Sequence, residues 1–176
     1  GVGEHLTDHL QNRITYESKL PVTVNDIMNN PLRGALAGLQ YLVRKDGLLA
    51  RSVATVHALV RSDPELAHPD IKLQIMLTSG KDRYARSRAV GLDPFSGFNI
   101  GAFQLYPFSR GSVHIQSPDP TTPPRIHANY LSDPRDEETV LAGLKLARKV
   151  ASQPALAKHI VREVRPGPEA GNDDAL

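Results

Sequence analysis

Residues 69–77 read Pro69-Asp70-Ile71-Lys72-Leu73-Gln74-Ile75-Met76-Leu77. Ile71, Leu73, Ile75 and Leu77 recur at every second position, and Lys72, Gln74 and Met76 fill the positions between. Successive side chains of a strand point to opposite faces, so this pattern predicts a strand with one apolar and one mixed face. Upstream, Ala54, Val56, Ala58 and Val60 alternate in the same way, with His57 on the opposite face, until Arg61-Ser62-Asp63-Pro64 breaks the run. Downstream, Ser79 to Arg88 reads as a polar loop. Phe98 to Tyr106 reads as a further strand and Val113-His114-Ile115 as a short one. Near the start, Ile14 and Tyr16 alternate within Leu10 to Glu17 and predict another strand.

Two helices punctuate these strands. Asn30-Pro31 supplies a capping side chain and a proline suited to the first helical position; Leu32, Leu36, Leu39 and Val43 follow at helical spacing, and Asp46-Gly47 ends the run. Asp133-Pro134-Arg135-Asp136 starts the second, which carries Val140, Leu141, Leu144, Ala147 and Val150 on one stripe. Its basic residues Lys145, Arg148 and Lys149 cluster where they complement the helix dipole. Asp119-Pro120-Thr121-Thr122-Pro123-Pro124 cannot pair within a sheet, because proline has no N–H to donate. Arg110-Gly111 reads as a short hairpin-type connection between neighbouring strands. The predicted class is α+β: an antiparallel sheet of about five or six strands with helices packed on one face.

The chain has 176 residues and no cysteine, so it is long enough for one self-sufficient core, and thiolate metal sites and a cysteine nucleophile are excluded. It carries 21 Lys+Arg against 19 Asp+Glu, too small a surplus to argue for a polyanion. Aromatic residues make up 5%, which argues against base-stacking platforms, and no nucleic-acid partner is expected. No apolar run is long enough to span a bilayer, and the first residues lack a signal peptide; the chain is therefore placed in the cytoplasm. Residues 1–165 are read as one domain, and 166–176, rich in Pro, Gly and Asp, as a polar linker or tail. Both ends read as cuts within a longer polypeptide.

Self-contained catalytic signatures are missing. His5 and His9 stand four apart, which on a helix is metal-ligand spacing; the alternative is a local hydrogen-bonded turn at Asp8-His9. Leu6 follows His5 where the zinc-protease pattern needs Glu, and no metal site is assigned. There is no Gly-x-Ser-x-Gly elbow and no Gly-x-Gly-x-x-Gly loop. Lys81-Asp82-Arg83-Tyr84-Ala85-Arg86-Ser87-Arg88 sets four positive charges against one negative. It reads either as a solvated loop or as a contact for an anionic partner.

Three blocks together resemble the glucose-methanol-choline (GMC) family of FAD-dependent oxidoreductases, its choline dehydrogenase-like members in particular. Gly1-Val2-Gly3-Glu4-His5-Leu6-Thr7-Asp8-His9 is similar to the family's G-V-G-E-N-L-Q-D-H. Arg61-Ser62-Asp63-Pro64 with Pro69-Asp70-Ile71 resembles R-S-D-P…P-D-I. The third block is Ser109-Arg110-Gly111-Ser112-Val113, then Pro123-Pro124-Arg125-Ile126, then Asn129-Tyr130-Leu131-Ser132-Asp133-Pro134-Arg135-Asp136. It looks like S-R-G-S-V…P-P-R-I…N-Y-L-S-D-P-R-D.

The resemblance implies the family's substrate-binding part, a helix-backed sheet that roofs the flavin of an enzyme oxidising alcohols. FAD is implied for the full-length parent and is not expected on this chain alone, which lacks the family's N-terminal dinucleotide fingerprint and its C-terminal active-site His. No catalytic residue is therefore assigned here. Lys72, Gln74 and Met76 are implied to face the flavin side, with Gln74 where many members carry His. Whichever of Phe98, Asn99, Phe103 and Gln104 share that face are candidate pocket residues, and Asn99, Phe103 and Gln104 are taken as substrate-binding. His5, Asp8 and His9 are the implied cofactor-side residues, His5 replacing the usual Asn. Tyr106 and Phe108 stand where basic residues are common. The implied partners are a small alcohol and the FAD-binding part of the same polypeptide; the face left exposed is expected to self-associate. The competing reading is a stand-alone, non-catalytic module of the same fold that meets an anionic partner through Lys81–Arg88.

Overall fold

The structure is a computed structural model and describes residues 1–81 and 91–176. Five strands form its main sheet: β2 (Gln11–Ser18), β3 (Ala54–Val60), β4 (Ile71–Met76), β5 (Gly97–Gln104) and β8 (Ile160–Arg165). Their order is β3-β4-β5-β2-β8, every neighbouring pair antiparallel. A second, three-stranded sheet pairs β1 (Glu4–Leu6), β6 (Gly111–His114) and β7 (Arg125–His127) in the order β1-β6-β7. The predicted α+β class is borne out, with the strands divided between two sheets. One connection differs from expectation. Arg110-Gly111 does not join neighbours, because β5 and β6 lie in different sheets. The backbone N–H groups of Phe108 and Ser109 donate to the Asp136 carboxylate at 2.7 and 2.8 Å, which turns this segment toward a helix start and away from a hairpin.

That helix, α3 (Pro134–Ala151), starts as its sequence predicts, with the Asp133 side chain accepting from Arg135 N. It lies across β5, β2 and β4. Ile14, Tyr16, Ile71, Leu73, Phe98, Ile100 and Ala102 from the sheet pack with Leu144, Ala147 and Ala151 from the helix as one buried cluster. Gly143 permits this approach: a Cβ there would lie 3.0 Å from Ala102 Cβ. Residues 166–176 fold back on α3. Arg148 spans Glu163 of β8 at 2.7 Å and the Ala170 carbonyl at 2.6 Å, Lys145 pairs with Asp173, and Ala170 is buried.

The short α1 (Val24–Met28) anchors the far end of the sheet through Asn25, which is fully buried. Its amide donates to the Ser79 and Asp93 carbonyls and accepts from Ser79 N. The following α2 (Pro31–Arg44) has the expected Asn30 cap, but none of its residues is buried, and Leu32 and Val43 are 70% and 72% exposed. The turn α4 (Pro154–Ala157) leads from α3 into β8. Among the described residues, no helix is long and apolar enough to cross a membrane.

Candidate substrate-facing site

Strand register decides which side chains meet. Across β3, β4, β5 and β2, cross-strand partners form rows on the face away from α3: Leu59-Lys72-Phe103-Gln11, then His57-Gln74-Gly101-Arg13, then Met76-Asn99-Thr15. Lys72, Gln74, Met76, Asn99 and Phe103 thus share one face. Gln104 does not join them. It pairs with Ile71 on the helix face, is buried, and donates from Nε2 to Asp136 at 2.7 Å. Phe98 is on the helix face as well, stacked on Tyr16 at 5.4 Å between centroids.

The shared face is half-buried and unevenly committed. Lys72 Nζ lies over the Phe103 ring at 5.4 Å from its centroid. Asn99 is occupied within the fold: it accepts from Thr15 Oγ1 and donates to the Thr78 carbonyl, both at 2.6 Å. Three polar residues of this face, Gln11, Arg13 and His57, escape the reading based on Gln74. The alternation of Gln11, Arg13 and Thr15 with Ile14 and Tyr16 would have placed the first two there. Gly101 leaves a gap beside Gln74, and Gln11 Nε2 covers it, 2.9 Å from where a Gly101 Cβ would sit. That nitrogen is buried and has no hydrogen-bond partner among the described residues.

His5, Asp8 and His9 are placed differently. His5 lies in the three-residue β1, with φ of 60°, so His5 and His9 do not share a helix face. The local turn at Asp8-His9 is present: His9 N donates to Asp8 Oδ1 at 2.8 Å. His9 Nδ1 meets the Gln104 carbonyl at 2.7 Å, and the Tyr130 hydroxyl donates to Asp8. Asp8 and His9 are thus tied into the fold, and His5 stays exposed. Among the described residues, no group of three or more His, Asp or Glu is placed to hold a metal.

On the helix side, a cleft of about 550 Å³ opens between the β3–β4 connection and the start of α3, lined by residues including Leu66, His68, Gln104, Tyr106 and Phe108. It contains Gln104 and none of the five residues that share the Gln74 face. Arg135 stacks on Phe108 at 3.7 Å, and its guanidinium holds the Asp133 carboxyl down at about 2. Burial would raise the pKa of Asp136, but the Phe108 and Ser109 donors and Gln104 hold it below the ordinary carboxylate value. The basic run falls almost wholly on residues 82–88, outside the described residues; of it only Lys81 is described, its N–H donating to the Gly91 carbonyl at 2.8 Å.

Comparison with known proteins gives one consistent picture. Residues 107–176 match the family model described as GMC oxidoreductase. The chain is 33% identical over 175 residues to the alcohol dehydrogenase (acceptor) of Pseudomonas putida, covering 99% of this chain and 31% of that relative. It is 30% identical over 181 residues to the oxygen-dependent choline dehydrogenase of Photobacterium profundum, covering 100% of this chain and 30% of the relative. Among solved structures, formate oxidase superposes with a TM-score of 0.81 at 16% identity, over 99% of this chain and 34% of that one. Pyridoxine 4-oxidase from Mesorbium loti superposes with a TM-score of 0.71 at 22% identity, over 99% of this chain and 29% of that one. These two likenesses show the fold. The chain spans about a third of the length of the curated relatives it matches.

Proposed function

We propose that this chain, which matches the GMC oxidoreductase family model over residues 107–176 and its curated relatives over its whole length, is the part of an FAD-dependent alcohol oxidoreductase that walls the substrate side of the flavin. One observation carries the reading: register gathers Lys72, Gln74, Met76 and Phe103 on the sheet face that α3 leaves uncovered. The residues fit a planar group as a wall and not as a holder. Gln11 supplies an unpartnered donor on that face, whereas Asp8 and His9, the implied cofactor-side residues, spend their groups inside the fold.

When bound, the flavin supplies the acceptor for hydride leaving the alcohol carbon. The face of this chain would orient the alcohol and exclude water. Gln74 has two donors and an acceptor and cannot titrate, so it can position a hydroxyl but cannot remove its proton. Removal of the hydroxyl proton therefore falls to a group other than Gln74. The rest of the same polypeptide is the partner this face requires.

Flavin content and turnover test the division of labour. The chain alone is expected to be colourless and inert with alcohols and a dye acceptor. The full-length polypeptide that contains it is expected to be yellow and to bleach on adding an alcohol. A yellow, alcohol-bleached preparation of the chain alone would overturn the assignment. So would a full-length protein that binds no flavin.

A further inference from the structure

The substrate-facing sheet presents donors and positive charge, and its neighbouring carboxylates are engaged. Lys72 brings an ammonium. Gln11 brings a buried N–H group with no acceptor. A buried unsatisfied donor is costly, and a ligand acceptor removes that cost. The Phe103 ring, the aromatic surface beside Gln11, is covered on its π-face by the Lys72 ammonium. Among the described residues, the carboxylates bordering this face already have partners. Asp70 accepts from Ser62 N and Oγ at 2.7 and 2.5 Å. Glu17 accepts from Arg162 at 2.8 Å, and Asp93 from Arg165 at 2.5 Å. Asp8 accepts from His9 and Tyr130.

We propose that the alcohol received by this face carries an uncharged or anionic hydrogen-bond acceptor beyond its reacting carbon, and not a fixed positive charge. The inference rests on the reading of the face as substrate-facing. A quaternary ammonium head placed here meets Lys72 as a like charge, finds the Phe103 ring already occupied by a cation, and leaves Gln11 unpaired. An ether, carbonyl or carboxylate oxygen is attracted by Lys72, and pairs Gln11 when its amide turns outward from Gly101 to meet it.

The test uses the full-length flavoprotein and two isosteric pairs. Neohexyl alcohol matches choline in shape, with carbon in place of the charged nitrogen; methoxyethanol matches butanol, with an ether oxygen in place of a methylene. We expect kcat/KM to favour neohexyl alcohol over choline by about tenfold or more, and Lys72→Glu to reverse or abolish that ratio. Lys72→Gln, which keeps length and polarity without charge, should narrow it. We expect methoxyethanol to be favoured over butanol, and Gln11→Leu to erase that preference without loss of thermal stability, since it removes an unsatisfied buried donor.

Binding is read apart from turnover by the 13C-methyl signal of Met76, whose neighbour across the ladder is Asn99. Saturable shifts with the uncharged compound at lower concentration than with choline support the inference even where no flavin is reduced, an outcome that would sink the oxidoreductase reading alone. Choline equal to or better than neohexyl alcohol, ratios unmoved by both Lys72 variants, or no saturable shift with any of the four compounds overturns it.

Discussion

Asp136 ties the start of α3 to β5 and to the segment that follows β5. It is 1% exposed, and its two oxygens accept from Gln104 Nε2, Phe108 N and Ser109 N. Removing it strands two buried donors and one part-buried donor, so Asp136→Ala should cost about 3 kcal/mol in chemical denaturation at pH 7. A smaller loss for Asp136→Asn would show how much resides in the charge. Its folded pKa lies below the ordinary value, so its contribution is complete above the unfolded carboxyl's pKa near 3.9. It fades as pH falls through the folded value. The difference in stability between wild type and Asp136→Ala should therefore shrink in acid, and a difference that stays flat below pH 4 would contradict this account. The role of Asp136 as a helix-start residue was legible in Asp133-Pro134-Arg135-Asp136. Its hold on Gln104 was not, because β5 is buried on both faces and carries no polar alternation to mark which face meets the helix. The odd separation of Asn99 and Gln104 puts them on opposite faces, and the pairing of Gln104 with Ile71 decides which of the two faces the helix.

The contact of α3 with the sheet sets how rigidly the opposite face is held. Gly143 sits where a Cβ would lie 3.0 Å from Ala102 Cβ and 3.7 Å from Ile71. Gly143→Ala gains helix propensity of roughly 1 kcal/mol against a small overlap and should be close to neutral. Gly143→Leu must separate helix and sheet and should cost about 1–3 kcal/mol, read as a lowered denaturation midpoint with an unchanged slope. The ladder strands β2 to β5 and both long helices could be anticipated, since each combines a clean period with a cap or breaker. The strands β1, β7 and β8 could not. Two are three residues long, and β8 reads Ile160-Val161-Arg162-Glu163-Val164-Arg165, with no sustained alternation. Their pairing comes from tertiary partners: Glu4 beside Ser112, His127 beside Ser112, and β8 held by the Arg148–Glu163 pair. The substrate-side residues followed the same logic. Gln74 and its strand neighbours were visible from period two, as were Gln11 and Arg13 opposite Ile14 and Tyr16, whereas joining His57 to them required the cross-strand register.

The whole molecule presents more apolar surface on α2 than its own core uses. Leu32, Leu36, Leu39 and Val43 recur along one side of that helix and are 57–72% exposed. The helix packs chiefly on α1 and on the short turn at Leu48–Ala50, and contributes no residue to the buried cluster. A helix of this length is marginal without a partner for its apolar stripe. The same stripe that predicts the helix from sequence therefore marks where the chain lacks a covering surface. In the chain by itself, that stripe is expected to drive weak self-association that grows with concentration. Leu36→Glu combined with Leu39→Lys places opposite charges on the stripe where no core contact is lost, so thermal stability should change little, within about 0.5 kcal/mol. The sedimentation coefficient, rising with concentration for the wild type, should become flat for the double variant. A loss of several kcal/mol would mean that α2 is buried in solution against this same chain. An unchanged concentration dependence would move the association to the other uncovered surface, the Gln74 face, where Lys72 and Arg13 would make it sensitive to salt.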